Sequence, residues 1–209
     1  MLDFSSDLDA AMNLHDLSRI NRWTGAKREL LRQLRQRFQT EDSFRFLDVG
    51  AASGDLAQAV LASFPNARVV CLDLLLRNLK CAPNSRVQAD AFALPFPESC
   101  FDVVHCSLFL HHFAGDAVEK LIVEMNRVSN NLILIQDLHR HRIAYYFLPA
   151  TQWILRWHPL TVEDGMKSVA AGWRRKELEE ILQRVNLIQQ SKIQWHFPSF
   201  RYFIAIIST

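Results

Sequence analysis

The sequence predicts an α/β protein with a doubly wound, mostly parallel seven-stranded sheet, a C-terminal antiparallel hairpin and helical cap segments. Short, nearly all-apolar runs alternate with segments of helical periodicity, as in sheets that helices cover on both faces. The last two apolar runs flank Pro198 and Ser199, which favours an antiparallel pair at the end of the chain.

The elements are assigned from periodicity and from the residues that bound each run. We predict strands at residues 44–49, 68–73, 86–89, 101–107, 131–137, 188–196 and 201–207. We predict helices at residues 14–38, 55–64, 117–128, 138–157 and 174–185.

Composition narrows the class of function. The formal charge of +2, from 24 Lys+Arg against 22 Asp+Glu, gives no general attraction to nucleic acid or to an anionic membrane. The acidic N-terminus is not a secretory signal, and no uncharged apolar run reaches the ~18–20 residues of a membrane span. The four cysteines have no zinc spacing, so we expect reduced thiols, no metal site and a cytoplasmic location.

A strand–turn–helix unit carries the strongest functional signal. The first strand ends at Asp48 and Val49, and the turn after it has small residues at alternate positions, Gly50, Ala52 and Gly54. Small residues let a ligand approach the backbone, and the helix that follows presents free N–H groups. The unit therefore predicts a nucleoside site at the carboxyl edge of the sheet.

Carboxylates follow three successive strands. Asp73 ends the second strand, 19 residues after Gly54, where an acidic side chain can accept both ribose hydroxyls of an adenosine. Asp90 follows the third strand. We expect Asp48, Asp73 and Asp90 to converge on one adenosine-sized site. A dinucleotide-binding enzyme is the alternative within this fold, but the turn lacks its third glycine in register.

Three motifs in the expected order resemble those of class I S-adenosylmethionine-dependent methyltransferases, which have a Rossmann-like fold. Residues 47–54 look like their first motif. Residues 87–104 and 108–113 are similar to the small-molecule branch often called methyltransferase type 11. The resemblance spans roughly residues 44–137. It implies S-adenosylmethionine as the cofactor and a small molecule as the acceptor.

The resemblance also implies roles for single residues. Asp48 would hold the turn or the methionine amino group, Asp73 the ribose hydroxyls, and Asp90 the adenine amino group. Ala52 replaces the middle glycine of the family pattern, and we expect a negative φ there, which an alanine tolerates. The other cofactor-binding positions are Gly50, Gly54, Leu74, Ala91, Ser107 and Leu108.

The chain length fits a single methyltransferase domain, residues 1–209. Residues 1–40 would form an N-terminal helical cap, of which 21–25 would close over the cofactor. Residues 44–137 would form the cofactor-binding core. Residues 138–173, rich in aromatic side chains, would cover the substrate, and residues 174–209 would close the fold with a helix and strands.

The acceptor side is predicted from side-chain chemistry. Aromatic side chains suit a flat or lipophilic acceptor, and we favour oxygen slightly over carbon or nitrogen as the methylated atom. A phenol has a pKa of about 10, so a histidine can assist by taking its proton. The candidates are His111, His112 and His139, and Asp137 would either orient His139 or cap the helix that follows.

Each histidine also has a purely structural interpretation. His111 and His112 are consistent with packing at a helix start, and His139 with a surface position. Two other functions stay open. A nucleic-acid methyltransferase commonly carries an Asn/Asp-Pro-Pro-aromatic motif where residues 106–109 read Cys-Ser-Leu-Phe, so no nucleic-acid partner is expected. A non-catalytic, cofactor-binding member of the fold is supported only by Ala52.

Overall fold

The computed structural model describes residue 16 and residues 19–20, 25–83, 85–197 and 199–208. Its centre is one seven-stranded sheet in the order β3-β2-β1-β4-β5-β7-β6. Neighbouring strands from β3 to β5 run parallel, and β7 pairs antiparallel with β5 and β6. The predicted fold class is confirmed. The strands are β1 (Arg45–Val49), β2 (Arg68–Asp73), β3 (Arg86–Gln88), β4 (Phe101–Ser107), β5 (Ser129–Leu138), β6 (Ser191–His196) and β7 (Arg201–Ile207).

Helices cover both faces of the sheet. The described helices are α1 (Ala26–Arg35), α2 (Asp55–Ser63), α3 (Asp116–Val128), α4 (Arg142–Leu155), α5 (Pro159–Ala171) and α6 (Arg175–Arg184). α1 and α2 bury leucines and valines against Phe46 and Val103 on one face. α3 and α6 do the same against Val104 and Ile133 on the other. The strands β1, β2, β4 and β5 therefore send alternate side chains into two separate cores, as the apolar runs require.

α4 and α5 form a helical pair between β5 and α6. α5 begins with Pro159, whose fixed φ suits a first helical turn. A Cβ at Gly165 of α5 would lie 2.2 Å from Leu148 Cδ1 of α4, so the missing side chain lets the two helices approach closely. No helix among the described residues is long and apolar enough to span a membrane.

Three sequence predictions need correction. The helix predicted at 138–157 begins only at Arg142, because β5 continues to Leu138 by pairing with β7. α5 was not predicted as a helix of its own. Residues 188–190 form a 3₁₀ turn rather than strand. Of the helix predicted at 14–38, α1 occupies residues 26–35, and most of the remainder before residue 25 lies outside the described residues.

Candidate active site

A cavity of about 1460 Å³ lies at the carboxyl ends of the parallel strands. The turn after β1 and the tips of β2 and β4 form one wall. α4, α5 and the tip of the β6–β7 hairpin form the opposite wall. Ligands of open α/β sheets bind at this edge, because the crossover loops leave a crevice where the strand order reverses. In this sheet the reversal lies between β1 and β4.

The turn after β1 has a left-handed backbone at alternate residues. φ is 68° at Gly50, 47° at Ala52 and 70° at Gly54. A Cβ at Gly50 would lie 2.6 Å from Phe109 Cδ2, so only glycine fits there. The expectation of a negative φ at Ala52 is wrong: the turn keeps the geometry of a glycine and strains the alanine that occupies it.

Gly54 has a different reason to be glycine. Its Cβ would lie 2.8 Å from Ala82 Cα, and its N–H donates to Ala51 O at 2.8 Å. Gly50 and Ala52 line the cavity, whereas Gly54 does not. Gly54 therefore closes the turn and seats the N-terminus of α2 against residues 82 and 83.

Asp73 ties β2 to this turn. Its Oδ1 accepts hydrogen bonds from Leu75 N and Asn78 Nδ2, both at 3.0 Å. Its Oδ2 accepts from Ala52 N at 3.2 Å. Asp73 lines the cavity, and Oδ2 makes no other hydrogen bond to the described residues. A carboxylate oxygen has two lone-pair sites, so Oδ2 can accept a hydroxyl from a ligand.

A buried Asp–His pair supports the floor of the cavity. Asp48 Oδ1 lies 2.7 Å from His105 Nδ1, and both side chains are buried. The parallel register of β1 and β4 sets Asp48 directly beside His105. His105 was not predicted as a site residue, although a histidine inside an apolar strand is a detectable signal, because a buried polar side chain needs a partner.

The tip of β4 carries a buried hydroxyl beside the cavity. Ser107 Oγ is buried and has no hydrogen-bond partner among the described residues. Leu108, the next residue, has a φ of 52°, and its N–H donates to Gln136 O at 2.8 Å. Strained residues of this kind gather at binding sites, where the surrounding structure holds them. Ser107 lines the cavity, but its Oγ has almost no accessible surface, so Asp73 Oδ2 is the hydrogen-bonding position that a polar ligand can reach here.

The remaining predicted cofactor positions are not among the residues that line the cavity. Asp90 is exposed, and its Oδ1 accepts from Phe92 N at 2.9 Å. Leu74 is 55% exposed, and Ala91 is buried in the sheet core. Asp48 and Asp73 thus share one cavity, while Asp90 faces solvent beside it. The ligand roles of all these residues remain predictions.

A second Asp–His pair joins the two walls. His111 Nδ1 lies 2.7 Å from Asp137 Oδ1, and His111 N donates to Asp137 Oδ2 at 3.2 Å. Burial raises the pKa of Asp137, but His111 and the hydrogen bond from Leu138 N outweigh it and hold that pKa below its usual value. Asp137 is therefore ionised and fixes the ring of His111, which lines the cavity.

The structure separates His139 from this pair. The ring of His139 packs between Tyr202 and Trp195, with centroids 5.0 and 5.8 Å away. Burial and the neighbouring His141 and Arg174 lower its pKa. His139 does not line the cavity. Of the two predicted alternatives for Asp137, neither holds, because its partner is His111.

The opposite wall is mostly apolar. Phe147 and Leu148 of α4 and Val169 of α5 line it together with Trp157. Arg201 adds one completely buried cation. Burial lowers the pKa of its guanidinium to about 10, although Asp137 and Asp55 act to raise it. Arg201 is therefore protonated at neutral pH.

N-terminal residues reach the same wall. Ile20 lines the cavity. Asp16 accepts hydrogen bonds from His158 N at 3.0 Å and from Thr161 Oγ1 at 3.1 Å. Residues 21–24, predicted to close over the cofactor, lie outside the described residues. In the described part of the chain, no group of three or more His, Cys, Asp or Glu side chains is arranged to hold a metal ion.

Comparisons with known proteins match the part of the chain that contains the first wall. Residues 47–131 match the family described as "Methyltransferase domain". An uncharacterised methyltransferase of Schizosaccharomyces pombe is 26% identical over 121 residues, which cover 54% of this chain and 46% of that protein. Demethylmenaquinone methyltransferase of Thermus thermophilus is 34% identical over 93 residues, 40% of this chain and 41% of that protein. The matched segments thus span less than half the length of either relative.

A solved structure matches nearly the whole chain. The plantazolicin methyltransferase BpumL, in complex with SAH, superposes with a TM-score of 0.75 at 16% identity. The match covers 98% of this chain and 91% of that one. At this identity the likeness shows the fold, including the α4–α5 region beyond residue 131. The family resemblance predicted from the sequence motifs is confirmed.

Proposed function

Since the chain carries a class I S-adenosylmethionine-dependent methyltransferase domain, we propose that it transfers a methyl group to an oxygen of a small, lipophilic, aromatic acceptor. One observation carries the proposal: a single cavity contains the glycine turn and Asp73 on one wall, apolar side chains of α4 and α5 on the opposite wall, and His111, held by ionised Asp137, where the two walls meet. Methyl donor and acceptor must meet in one space, because the reaction is an in-line displacement.

The first wall fits the donor. Asp73 Oδ2 accepts a ribose hydroxyl, and Gly50 and Ala52 of the turn line the same cavity, where the methionine part would lie. Ser107, whose Oγ is buried without a partner among the described residues, lines the same cavity. When bound, S-adenosylmethionine supplies an activated methyl group, so the protein's task is alignment and proton removal.

The second wall fits the acceptor. Asp137 accepts the Nδ1 proton of His111, which leaves Nε2 as the basic nitrogen of the ring. His111 Nε2 takes the proton of the acceptor hydroxyl as that oxygen bonds to the methyl carbon and the carbon–sulfur electron pair returns to sulfur. Phe147, Leu148 and Trp157 contact the apolar body of the acceptor.

The identity of the acceptor class has one further support. The Thermus thermophilus relative is a demethylmenaquinone methyltransferase, and quinone-like compounds combine an aromatic ring with an apolar body. A small-molecule acceptor rather than nucleic acid, and a cytoplasmic location, are part of the same proposal. They agree with the near balance of charge.

The test is a methyl-transfer screen. The full chain is incubated with isotopically labelled S-adenosylmethionine and a panel of lipophilic phenols, hydroquinones, amines and RNA, and mass spectrometry detects what gains the label. We expect label on a phenolic oxygen, and none with His111→Gln at matched enzyme concentration. Label on RNA or on an amine alone would contradict the proposal. So would failure of the chain to bind S-adenosylhomocysteine in a calorimeter.

A further inference from the structure

α4 exposes a row of large apolar side chains. We call Ile143, Tyr146, Phe147, Trp153 and Ile154 the α4 ridge. Trp153 is 93% and Ile154 80% exposed. The spacing places all five on one side of the helix. No other described part of the chain covers them. Contiguous exposed apolar surface of this kind marks an interaction site.

The ridge is not the face by which α4 joins the protein. That face is formed by Leu148, which is buried against Gly165 of α5. Leu155 packs beside it in the same small core. α4 therefore has two apolar sides, one used for folding and one left at the surface. Exposing these aromatic side chains to water does not stabilise the fold, which makes the ridge a candidate docking surface.

The charges on α4 beside the ridge are positive, and the first acidic side chains that follow along the chain are Glu163 and Asp164 of α5, which line the cavity. Arg142 and Arg156, one at each end of α4, are exposed and make no ion pair with any described residue. Residues 138–162 contain no Asp or Glu at all. The net charge of the chain is close to zero, so this local excess of cations belongs to the ridge. Apolar side chains flanked by arginines are typical of helices that lie in the interface of an anionic membrane.

The tip of the β6–β7 hairpin, represented by Trp195, Phe197 and Phe200, extends this surface. Phe197 is 70% exposed, and Trp195 46%. The ring of His141, at the start of α4, stacks on Phe200 of the tip with centroids 4.8 Å apart. No Asp or Glu occurs anywhere from residue 188 to the last residue of the sequence. The tip and the ridge form one cationic, aromatic surface.

This surface surrounds the mouth of the cavity. Phe147 of the ridge and Phe197 of the tip are exposed and also line the cavity. A membrane or protein docked on this surface therefore faces the mouth of the cavity. Water-soluble acceptors need no such arrangement, whereas a lipophilic one must leave a membrane to reach the site.

We infer that the α4 ridge and the hairpin tip dock on the surface of an anionic lipid bilayer and open the cavity toward it. A second copy of the chain is a poorer occupant. In a two-fold symmetric pair the same surface meets itself, which sets Arg142 and Arg156 of one copy against those of the other. Anionic headgroups neutralise these arginines instead, while the ridge enters the acyl boundary. Docking does not depend on methyl transfer; delivery of the acceptor from the bilayer rests on the proposed function.

The experiment is vesicle flotation of the full chain. Vesicles of phosphatidylcholine alone are compared with vesicles in which about one third of the lipid is phosphatidylglycerol. We expect binding only to the second kind, and release when salt screens the headgroups. Replacing Arg142→Gln and Arg156→Gln together should weaken binding about 30-fold. Replacing Trp153→Ser and Ile154→Ser together should weaken it more than about tenfold.

The matched control lies on α3, which does not line the cavity. Val123 is 53% exposed and Lys120 is exposed, so Lys120→Gln with Val123→Ser removes the same kinds of side chain elsewhere. This control should bind the phosphatidylglycerol vesicles as strongly as the unchanged chain does. The proposal fails if the unchanged chain does not bind phosphatidylglycerol vesicles, or if the ridge variants bind as well as the control. It also fails if sedimentation reveals a dimer that the Trp153 and Ile154 substitutions dissociate, since a second copy would then cover the ridge. None of these outcomes depends on S-adenosylhomocysteine binding, which tests the proposed function separately.

Discussion

The two walls of the cavity are built by different means. The proposed donor wall consists mainly of backbone, with strand tips, a left-handed turn and a carboxylate that accepts three hydrogen bonds from its own chain. The proposed acceptor wall consists of side chains, with aromatic and aliphatic groups on two helices, several of them exposed. The matched family covers residues 47–131 and ends before α4 begins. A shared donor needs a conserved backbone geometry, whereas a particular acceptor is selected by exchangeable side chains.

The strongest test concerns His111, which lies where the two walls meet. His111→Gln keeps the volume of the ring approximately but removes the base, so kcat should fall by about 10²–10⁴-fold. Affinity for S-adenosylhomocysteine should not change, because the donor wall is untouched. His139→Gln is the matched comparison, since His139 lies outside the cavity. Equal losses of kcat in the two variants would show that Asp137 and His111 do not form the catalytic pair.

The donor wall is tested by Asp73→Ala. Loss of hydrogen bonds between a carboxylate and the ribose hydroxyls should weaken S-adenosylhomocysteine binding about 100-fold, measured by titration calorimetry. The thermal stabilisation that this ligand gives the chain should largely disappear with it. Asp102→Ala is the control, because Asp102 binds Arg45 at the opposite end of the sheet. A normal affinity in Asp73→Ala would remove the ribose assignment.

The bond between Asp137 and His111, where the two walls meet, is tested by the pH dependence of the free energy of unfolding. The pKa of Asp137 is lowered in the folded state, so its stabilising effect is complete above the unfolded value of about 3.9 and is lost as pH falls through the folded value. At pH 7, Asp137→Asn should lower the free energy of unfolding by about 2–3 kcal/mol. Urea denaturation should show this difference narrowing below pH about 4. A constant difference across that range would mean that the carboxylate charge contributes nothing.

The smallest effect concerns the strain in the donor wall. Ala52 has a φ of 47°, and a left-handed alanine costs about 1–2 kcal/mol relative to a relaxed one. Ala52→Gly should raise the free energy of unfolding by about 0.5–1 kcal/mol, after the added flexibility of the unfolded chain is subtracted. Ala51→Gly should act in the opposite direction, because Ala51 has no positive φ and is buried. Stabilisation by both substitutions, or by neither, would exclude relief of strain as the cause.

Much of the donor wall could be predicted from the sequence because its signals are local. Gly50 and Asp73 follow apolar strands at fixed spacing, and parallel strands bring their carboxyl ends together. The prediction was less accurate where a residue's role depends on its neighbour. His105 was missed because only the register of β1 and β4 sets it beside Asp48. Asp90 was placed with the other carboxylates, yet it faces solvent.

By itself, the sequence determined the sheet, the turn after β1 and the methyltransferase resemblance, because periodicity and short motifs encode them within a few residues. Only the tertiary structure decided that Asp137 holds His111 rather than His139, that the ridge of α4 stays uncovered, and that it borders the cavity. The physical reason is the range of the interactions. The bond between His111 and Asp137 joins residues 26 positions apart. Such bonds, like the exposed faces of packed helices, depend on how the helices and strands pack together. A local sequence pattern does not encode that packing.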